Sequence, residues 1–278
     1  MNMKKIIKRA LMRIISMLKW EKKIPIVSVK EKSELLKDKV ALITGGSGGI
    51  GMAIAQKFLD CGCKIIIAGT NESKLKKCTE NLLGRAQYIV INMNDVSTFE
   101  LKIKEATQIY GKIDILINSA GIHSENMDYW NMTESEYDRI MNINLKGLYF
   151  FTRNIARYMK DNKINGRILF ISSSRGSEPA WSPYGISKWG LNGMVKGLAM
   201  TLFPYKINVN AIAPGSTATN LLGYNKGDSI YVDDNSECRY IMPVEIANFA
   251  SLIVSDAGAM INGEIVKIAS GRGSYDIR

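Results

Sequence analysis

The chain has 278 residues, 46% hydrophobic and 23% charged, with four cysteines, a single histidine and a formal charge of +11. This is the composition of a soluble globular protein able to bury one sizeable core, and no apolar run is long enough to cross a bilayer. One histidine, with no Cys-x-x-Cys pair, argues against a metal cluster and against Ser-His-Asp or Cys-His catalysis. Cys61, Cys63, Cys78 and Cys238 read as free thiols in a reducing, cytoplasmic compartment.

The charge is not spread evenly. Residues 1–39 hold 12 Lys/Arg and 4 Asp/Glu, whereas the other 239 hold 25 and 22. A nucleic-acid-binding body is therefore not expected. Residues 3–20 place Met3, Ile7, Ala10, Leu11, Ile14 and Leu18 on one helical stripe and Lys5, Lys8, Arg9, Arg13 and Lys19 opposite. Two readings fit this basic amphipathic helix. It lies in an anionic membrane surface at the inner face, or it docks its stripe on the protein's own core or on a second subunit. Arg13 interrupts the apolar region, which disfavours a secretory signal. Residues 1–38 are thus expected to be helix and linker, and residues 39–278 the catalytic domain.

Val40–Ile43 reads as a buried strand that runs into Thr44-Gly45-Gly46-Ser47-Gly48-Gly49-Ile50-Gly51, followed by a helical pattern from Met52 to Leu59. Strand, glycine turn and helix is the context of a dinucleotide fingerprint, in which backbone approaches the pyrophosphate at a helix N-terminus. Gly45, Ser47, Gly49, Ile50 and Gly51 are the expected contacts. Lys64–Ala68 is a second strand, ending in Gly69-Thr70-Asn71. An acid here would bond the adenosine ribose 2′-hydroxyl and select NAD. Its absence favours NADP(H), with Thr70, Asn71 and Lys74 as donors; the turn has no arginine, and NAD(H) stays the alternative.

Further units follow: a helix over 71–83, a strand over 87–91, a helix over 97–109 and a strand over 113–117. Asp95 stands either by the adenine or as the cap of the helix after it. Asn118-Ser119-Ala120-Gly121 offers small residues for close approach. Thr133–Lys160 reads as one long helical region, with Asn144 bonding water or a backbone carbonyl, or merely satisfying a helix irregularity. Strand 167–171 leads to Ser172-Ser173-Ser174, a helix spans 184–203, and strand 207–212 ends in Ala213-Pro214-Gly215-Ser216-Thr217-Ala218-Thr219. Residues 220–240 lose periodicity and suit a mobile lid. A helix over 243–254 and a strand over 264–268 complete the series. Repeated β-α units imply a parallel sheet covered on both faces.

Tyr184 and Lys188 are one helical turn apart and point the same way. A phenol titrates at about 10, and a neighbouring cation should lower that value, giving a general acid/base. The ordered set Thr-Gly-x-x-x-Gly-x-Gly, Asn-x-Ala-Gly, Asn144, Ser173, Tyr-x-x-x-Lys and Pro-Gly-x-x-x-Thr resembles the compact branch of the short-chain dehydrogenase/reductase family over about residues 38–272. The resemblance implies a Rossmann-type doubly wound α/β sheet of seven parallel strands in the order 3-2-1-4-5-6-7. It implies an oxidoreductase that interconverts a ketone and a secondary alcohol, packed as a homodimer or homotetramer through its long helices.

By that resemblance Tyr184 moves the proton, Lys188 lowers its pKa and holds the nicotinamide ribose, Ser173 polarises the carbonyl, and Asn144 holds a relay water. Asp95 and Asn118 flank the adenine. Ala120, Gly121, Pro214, Gly215 and Thr217 line the cofactor with Ile212, and Thr219 meets its carboxamide end. Two departures stand out. Only 11 residues separate Ser173 from Tyr184, which reshapes the wall bearing Glu178 and Trp181, and the usual acidic-Gly-Gly ending is Ala269-Ser270-Gly271. His123 either lines the entrance or is a plain loop histidine, and Tyr129, Trp130 and Trp181 either stack on substrate or pack. A 3-oxoacyl-thioester reductase and a membrane-tethered nucleotide-binding scaffold are the rival readings.

Overall fold

Seven short runs of apolar and β-branched residues form the strands in a computed structural model that describes residues 34–124, 127–225 and 227–272. The expected helix over 3–20 lies outside the described residues. The strands are β1 (Val40–Thr44), β2 (Lys64–Gly69), β3 (Ala86–Val90), β4 (Ile115–Asn118), β5 (Arg167–Ile171), β6 (Asn208–Pro214) and β7 (Ile265–Ile268). All pair in parallel, in the order β3-β2-β1-β4-β5-β6-β7. β1 and β4 are buried along their whole length, as parallel strands covered on both faces must be.

The helices are α1 (Gly49–Asp60), α2 (Glu72–Asn81), α3 (Phe99–Tyr110), α4 (Glu134–Met141), α5 (Leu148–Asp161), α6 (Pro183–Leu202) and α7 (Pro243–Val254). One face of the sheet buries Ile54 and Phe58 of α1, Leu75 of α2 and Ile246 and Ile253 of α7. The other buries Phe99 and Ile103 of α3, Phe151 and Ile155 of α5 and Leu191 and Val195 of α6. Each fully buried Ile or Phe contributes about 1.5–3 kcal/mol by leaving water. Because the order of the strands reverses between β1 and β4, their carboxyl ends open into a crevice, where α/β folds place ligands.

Two boundaries differ from the sequence expectation. Leu36, assigned to the linker, is 1% exposed, and its N–H donates to the Cys61 carbonyl at 2.9 Å. The core therefore begins ahead of Lys39. The expected long helix over 133–160 is interrupted: α4 and α5 are joined by one wide π turn, Asn142–Gly147. Gly147 lies so close to the Met93 carbonyl that a Cβ there would come within 2.1 Å of it. No longer residue fits, and the turn is pinned to the loop after β3. Among the described residues no helix is long and apolar enough to cross a membrane.

Candidate active site

At the carboxyl ends of β1 and β4 lies a cleft of about 760 Å³. Gly45 opens its floor with φ +64, and a Cβ there would meet the backbone of Ser119 and Ala120 at 2.8 Å. Glycine thus supplies both the left-handed turn and the close approach of two strand ends. Gly48 caps α1 without a side chain, and the first turn of α1 holds no acid. The N–H groups and positive dipole end of α1 remain available to an anion. Gly45, Ser47, Gly49, Ile50 and Gly51 all line the cleft, as the glycine pattern requires.

The rest of the expected cofactor set divides. Thr70 and Lys74 line the cleft. Asn71 does not: its carboxamide oxygen accepts the Lys74 N–H at 2.9 Å and caps α2. The following acid, Glu72, is engaged by Lys76 at 3.2 Å and by the Tyr88 hydroxyl at 3.0 Å. Asp95 is exposed away from the cleft, at the cap position of the turn Val96–Thr98, and accepts the Ser97 hydroxyl at 2.7 Å. Asn92 and Met93, directly after β3, line the cleft instead. Their place at the carboxyl end of β3, the parallel strand beside β2, was the signal that could have found them.

Asn118 is wholly buried and donates to Thr152 Oγ1 at 2.9 Å, tying β4 to α5 rather than facing the cleft. Ser119, Ala120, Gly121 and Ile122 line it. Pro214, Gly215 and Thr217 do not line it, nor does the fully buried Ile212. Thr217 pairs with Ile241 and Ala218 donates to the Ile241 carbonyl, which holds this stretch against the body. The chain emerges over the cleft only at Thr219, Asn220 and Leu221. Thr219 lies on the glycine turn, where a Cβ on Gly49 would strike its methyl at 2.7 Å.

The reacting end is built by β5 and α6. Ser182 caps α6 by accepting the Gly185 N–H at 3.2 Å, and Pro183 pre-sets the first turn. This fixes Tyr184 in the first turn and Lys188 one turn on, both lining the cleft. Lys188 is 4% exposed, donates to the Ile171 carbonyl at 2.9 Å, and lies 5.5 Å from the centre of the Tyr184 ring. Ser173 follows β5 and its Oγ accepts the Arg175 N–H at 3.2 Å; it does not line the cleft, whereas its neighbour Ser172 does. Asn144, also wholly buried, holds the backbone of Ile122 from both sides, accepting its N–H at 2.9 Å and donating to its carbonyl at 2.8 Å. Of the alternatives for Asn144, the backbone contact is the one formed.

The electrostatics reverse one expectation. Burial raises the Tyr184 pKa above its ordinary value, opposed by the Ser173 hydrogen bond and by the charge of Arg175. Lys188 is not among the groups lowering it. Burial instead draws Lys188 itself down to about 8. The cause is desolvation: the helical spacing that brings the pair together also removes it from water. His123 stands edge-on to the Tyr184 ring at 6.4 Å, with Nε2 at 2.5 Å from the Leu221 carbonyl, so it touches both the reacting end and the segment over the cleft.

Residues 39–229 match the family of short chain dehydrogenases. The chain is 32% identical over 243 residues to a 3-oxoacyl-[acyl-carrier-protein] reductase of Thermotoga maritima, covering 85% of this chain and 98% of that one. It is 30% identical over 263 residues to 3beta-hydroxysteroid dehydrogenase 2 of Eggerthella lenta, covering 90% and 100%. A 3-ketoacyl-(acyl-carrier-protein) reductase from Brucella melitensis, complexed with NADH, superposes with a TM-score of 0.79 at 27% identity, covering 86% and 99%. The chain belongs to the short-chain dehydrogenase/reductase family and is an oxidoreductase that interconverts ketones and secondary alcohols.

Proposed function

We propose that the chain is an NADP(H)-preferring reductase in which Tyr184 donates the proton to a ketone oxygen. The observation that carries this reading is that Tyr184 and buried Lys188 line one end of a cleft whose other end is the open N-terminus of α1, with Ser173 just after β5. The glycine turn fits a dinucleotide, since Gly45 and Gly49 line the cleft and Cβ atoms there would strike the Ala120 backbone and Thr219, pushing the turn out of shape. The cofactor supplies the hydride when bound.

The chain's own residues do the rest. The α1 N-terminus and Ser47 would hold the pyrophosphate, Lys188 would hold the nicotinamide ribose, and Ser173 would polarise the carbonyl. Tyr184, protonated near neutral pH as a phenol is, donates to the developing alkoxide. Asn144 fixes the Ile122 backbone beside the pocket. The preference for the 2′-phosphate rests on Thr70 and Lys74 lining the adenosine side and on the engagement of Glu72 elsewhere.

Titration with NADPH and NADH, read by energy transfer from tryptophan, tests the pocket and the preference. Tighter NADPH binding supports the reading, and tighter NADH binding overturns the cofactor preference. Tyr184→Phe is expected to lower turnover by about 10²–10⁴-fold while leaving cofactor affinity within about twofold. Normal turnover by that variant would sink the mechanism.

A second substrate reading, a 3-oxoacyl thioester, is favoured by the reductase of Thermotoga maritima. An apolar groove of about 430 Å³ along α5 and α6, edged by Leu145, Tyr149 and Met194, fits packing of a second copy through the long helices. The residues 3–20 stripe and its basic face fit peripheral contact of a cytoplasmic enzyme with an anionic membrane. Flotation with anionic liposomes, comparing the full chain with one starting at Asp38, checks that contact, and equal flotation removes it.

A further inference from the structure

The turn after β7, where this chain has Ala269-Ser270-Gly271-Arg272, is the centre of a polar cluster that the cofactor cleft does not use. Arg272 Nε pairs with Glu178 at 3.2 Å, and its NH1 donates to Ser216 Oγ at 2.8 Å. The same nitrogen pairs with the Asp234 carboxylate, to which Ser216 also donates. The second Glu178 oxygen pairs with Arg175 at 3.1 Å. The Arg272, Glu178 and Asp234 side chains are only 21%, 16% and 25% exposed. Ser270 adds backbone support, its carbonyl accepting the Ser236 N–H at 3.0 Å.

These partners come from two different segments. Glu178 stands in the connection from Ser173 to Tyr184. Ser216 and Asp234 belong to the stretch after β6, which passes over the cleft at residues 219–221. A guanidinium presents its donors in a rigid planar fork, so one side chain can hold carboxylates from both segments at a fixed separation. Ion pairs this far out of water are screened weakly, and removing the shared cation takes from Asp234 its Arg272 partner and leaves Glu178 on Arg175 alone.

We propose that Arg272 is a positioning residue that couples the wall between Ser173 and Tyr184 to the segment following β6, so that the two are set as one unit. The inference rests on the reading of Tyr184 and Ser173 as the groups that act on substrate. Arg272 touches neither of them. It acts through Glu178, which in turn sits on Arg175, whose charge reaches Tyr184.

Hydrogen exchange on the full chain tests the coupling without a substrate. Arg272→Met is expected to speed exchange at least about fivefold in both 174–182 and 227–240, with NADPH affinity within about twofold of wild type. Asp234→Asn should loosen 174–182 in the wild-type background and add nothing in the Arg272→Met background, the non-additivity that a shared partner requires. Arg272→Lys should recover part of the protection. With ethyl acetoacetate as probe ketone, KM should rise about tenfold with kcat within about threefold.

Loosening of 227–240 alone, or additive effects of the two substitutions, would overturn the proposal. Should Arg272→Met not fold, Glu178→Gln and Asp234→Asn decide it: each must loosen the segment that holds the other residue, and loosening confined to its own segment overturns the coupling. Coupled exchange together with normal turnover by Tyr184→Phe would instead overturn the catalytic reading and leave the clasp standing.

Discussion

The half of the sheet from β1 to β4 and the half from β5 to β7 reach the same cleft by different means. The first presents mainly backbone: a glycine turn, an uncapped helix N-terminus and the small residues after β4. The second presents side chains, Tyr184 and Lys188 on the first two turns of α6, with Ser173 just after β5 and Asn144 holding the Ile122 backbone from another element. A pyrophosphate can be bound by N–H groups that any sequence carries, provided nothing blocks them. Proton transfer needs a particular phenol in a particular electrostatic setting, and that setting is assembled only when separate elements pack.

After the Tyr184→Phe experiment, the largest effect should come from blocking the backbone half. Gly45→Val introduces a branched side chain at φ +64 and against the Ala120 backbone. NADPH affinity is expected to fall at least about 100-fold, read by the same tryptophan titration. Retention of affinity would mean that the turn is not the cradle.

Lys188→Met probes the opposite half, where function opposes stability. Lys188 titrates near 8 in the folded protein against 10.5 when unfolded, so the unfolded chain binds more protons between those values. Stability from this group therefore rises as pH climbs from about 8 to 10.5, and below 8 the full penalty of burying the ammonium is carried. At 1.36 kcal/mol per unit that penalty is on the order of 3 kcal/mol, offset by about 1 kcal/mol for the bond to the Ile171 carbonyl. Lys188→Met should stabilise the cofactor-free protein at pH 7 by about 1–2 kcal/mol and flatten that rise, as read by urea unfolding. Destabilisation would show that the lysine is better accommodated than its burial implies.

Lys74→Glu sharpens the distinction within the backbone half, because the adenosine end is where a side chain chooses. The change should weaken NADPH binding about tenfold and NADH binding little, by titration of both. Equal losses would place Lys74 away from any 2′-phosphate.

The smallest effect is expected far from the cleft. Arg239 draws the Glu245 carboxyl down to about 2, and Glu245 also accepts the Met242 N–H at 2.8 Å at the start of α7. Its contribution is present above about 4.5 and lost as pH falls toward 2. Both side chains are more than a third exposed, so solvent screening limits it to roughly 0.5–1 kcal/mol. Glu245→Gln should lower stability by that amount at pH 7, with the difference closing between pH 4.5 and 2.

The strand order came from the family resemblance; the sequence by itself determined the β-α units of a parallel sheet, the glycine turn and the one-turn spacing of Tyr184 and Lys188. These follow from local pattern: apolar runs bounded by breakers, glycines where the chain must turn left-handed, and the fixed pitch of a helix. Only the tertiary structure decided which polar side chains face the cleft. Asn71 caps α2, Asp95 accepts the Ser97 hydroxyl, Asn118 ties β4 to α5, and Asn92 and Met93 line the cleft, because a side chain meets whichever partner packing brings near. It also decided how deeply Tyr184 and Lys188 are covered, and that burial raises the one pKa and lowers the other, since desolvation depends on what covers a group. And it decided that Arg272, Glu178 and Asp234 meet, which residues so far apart in the chain can do only once the sheet has brought their ends together.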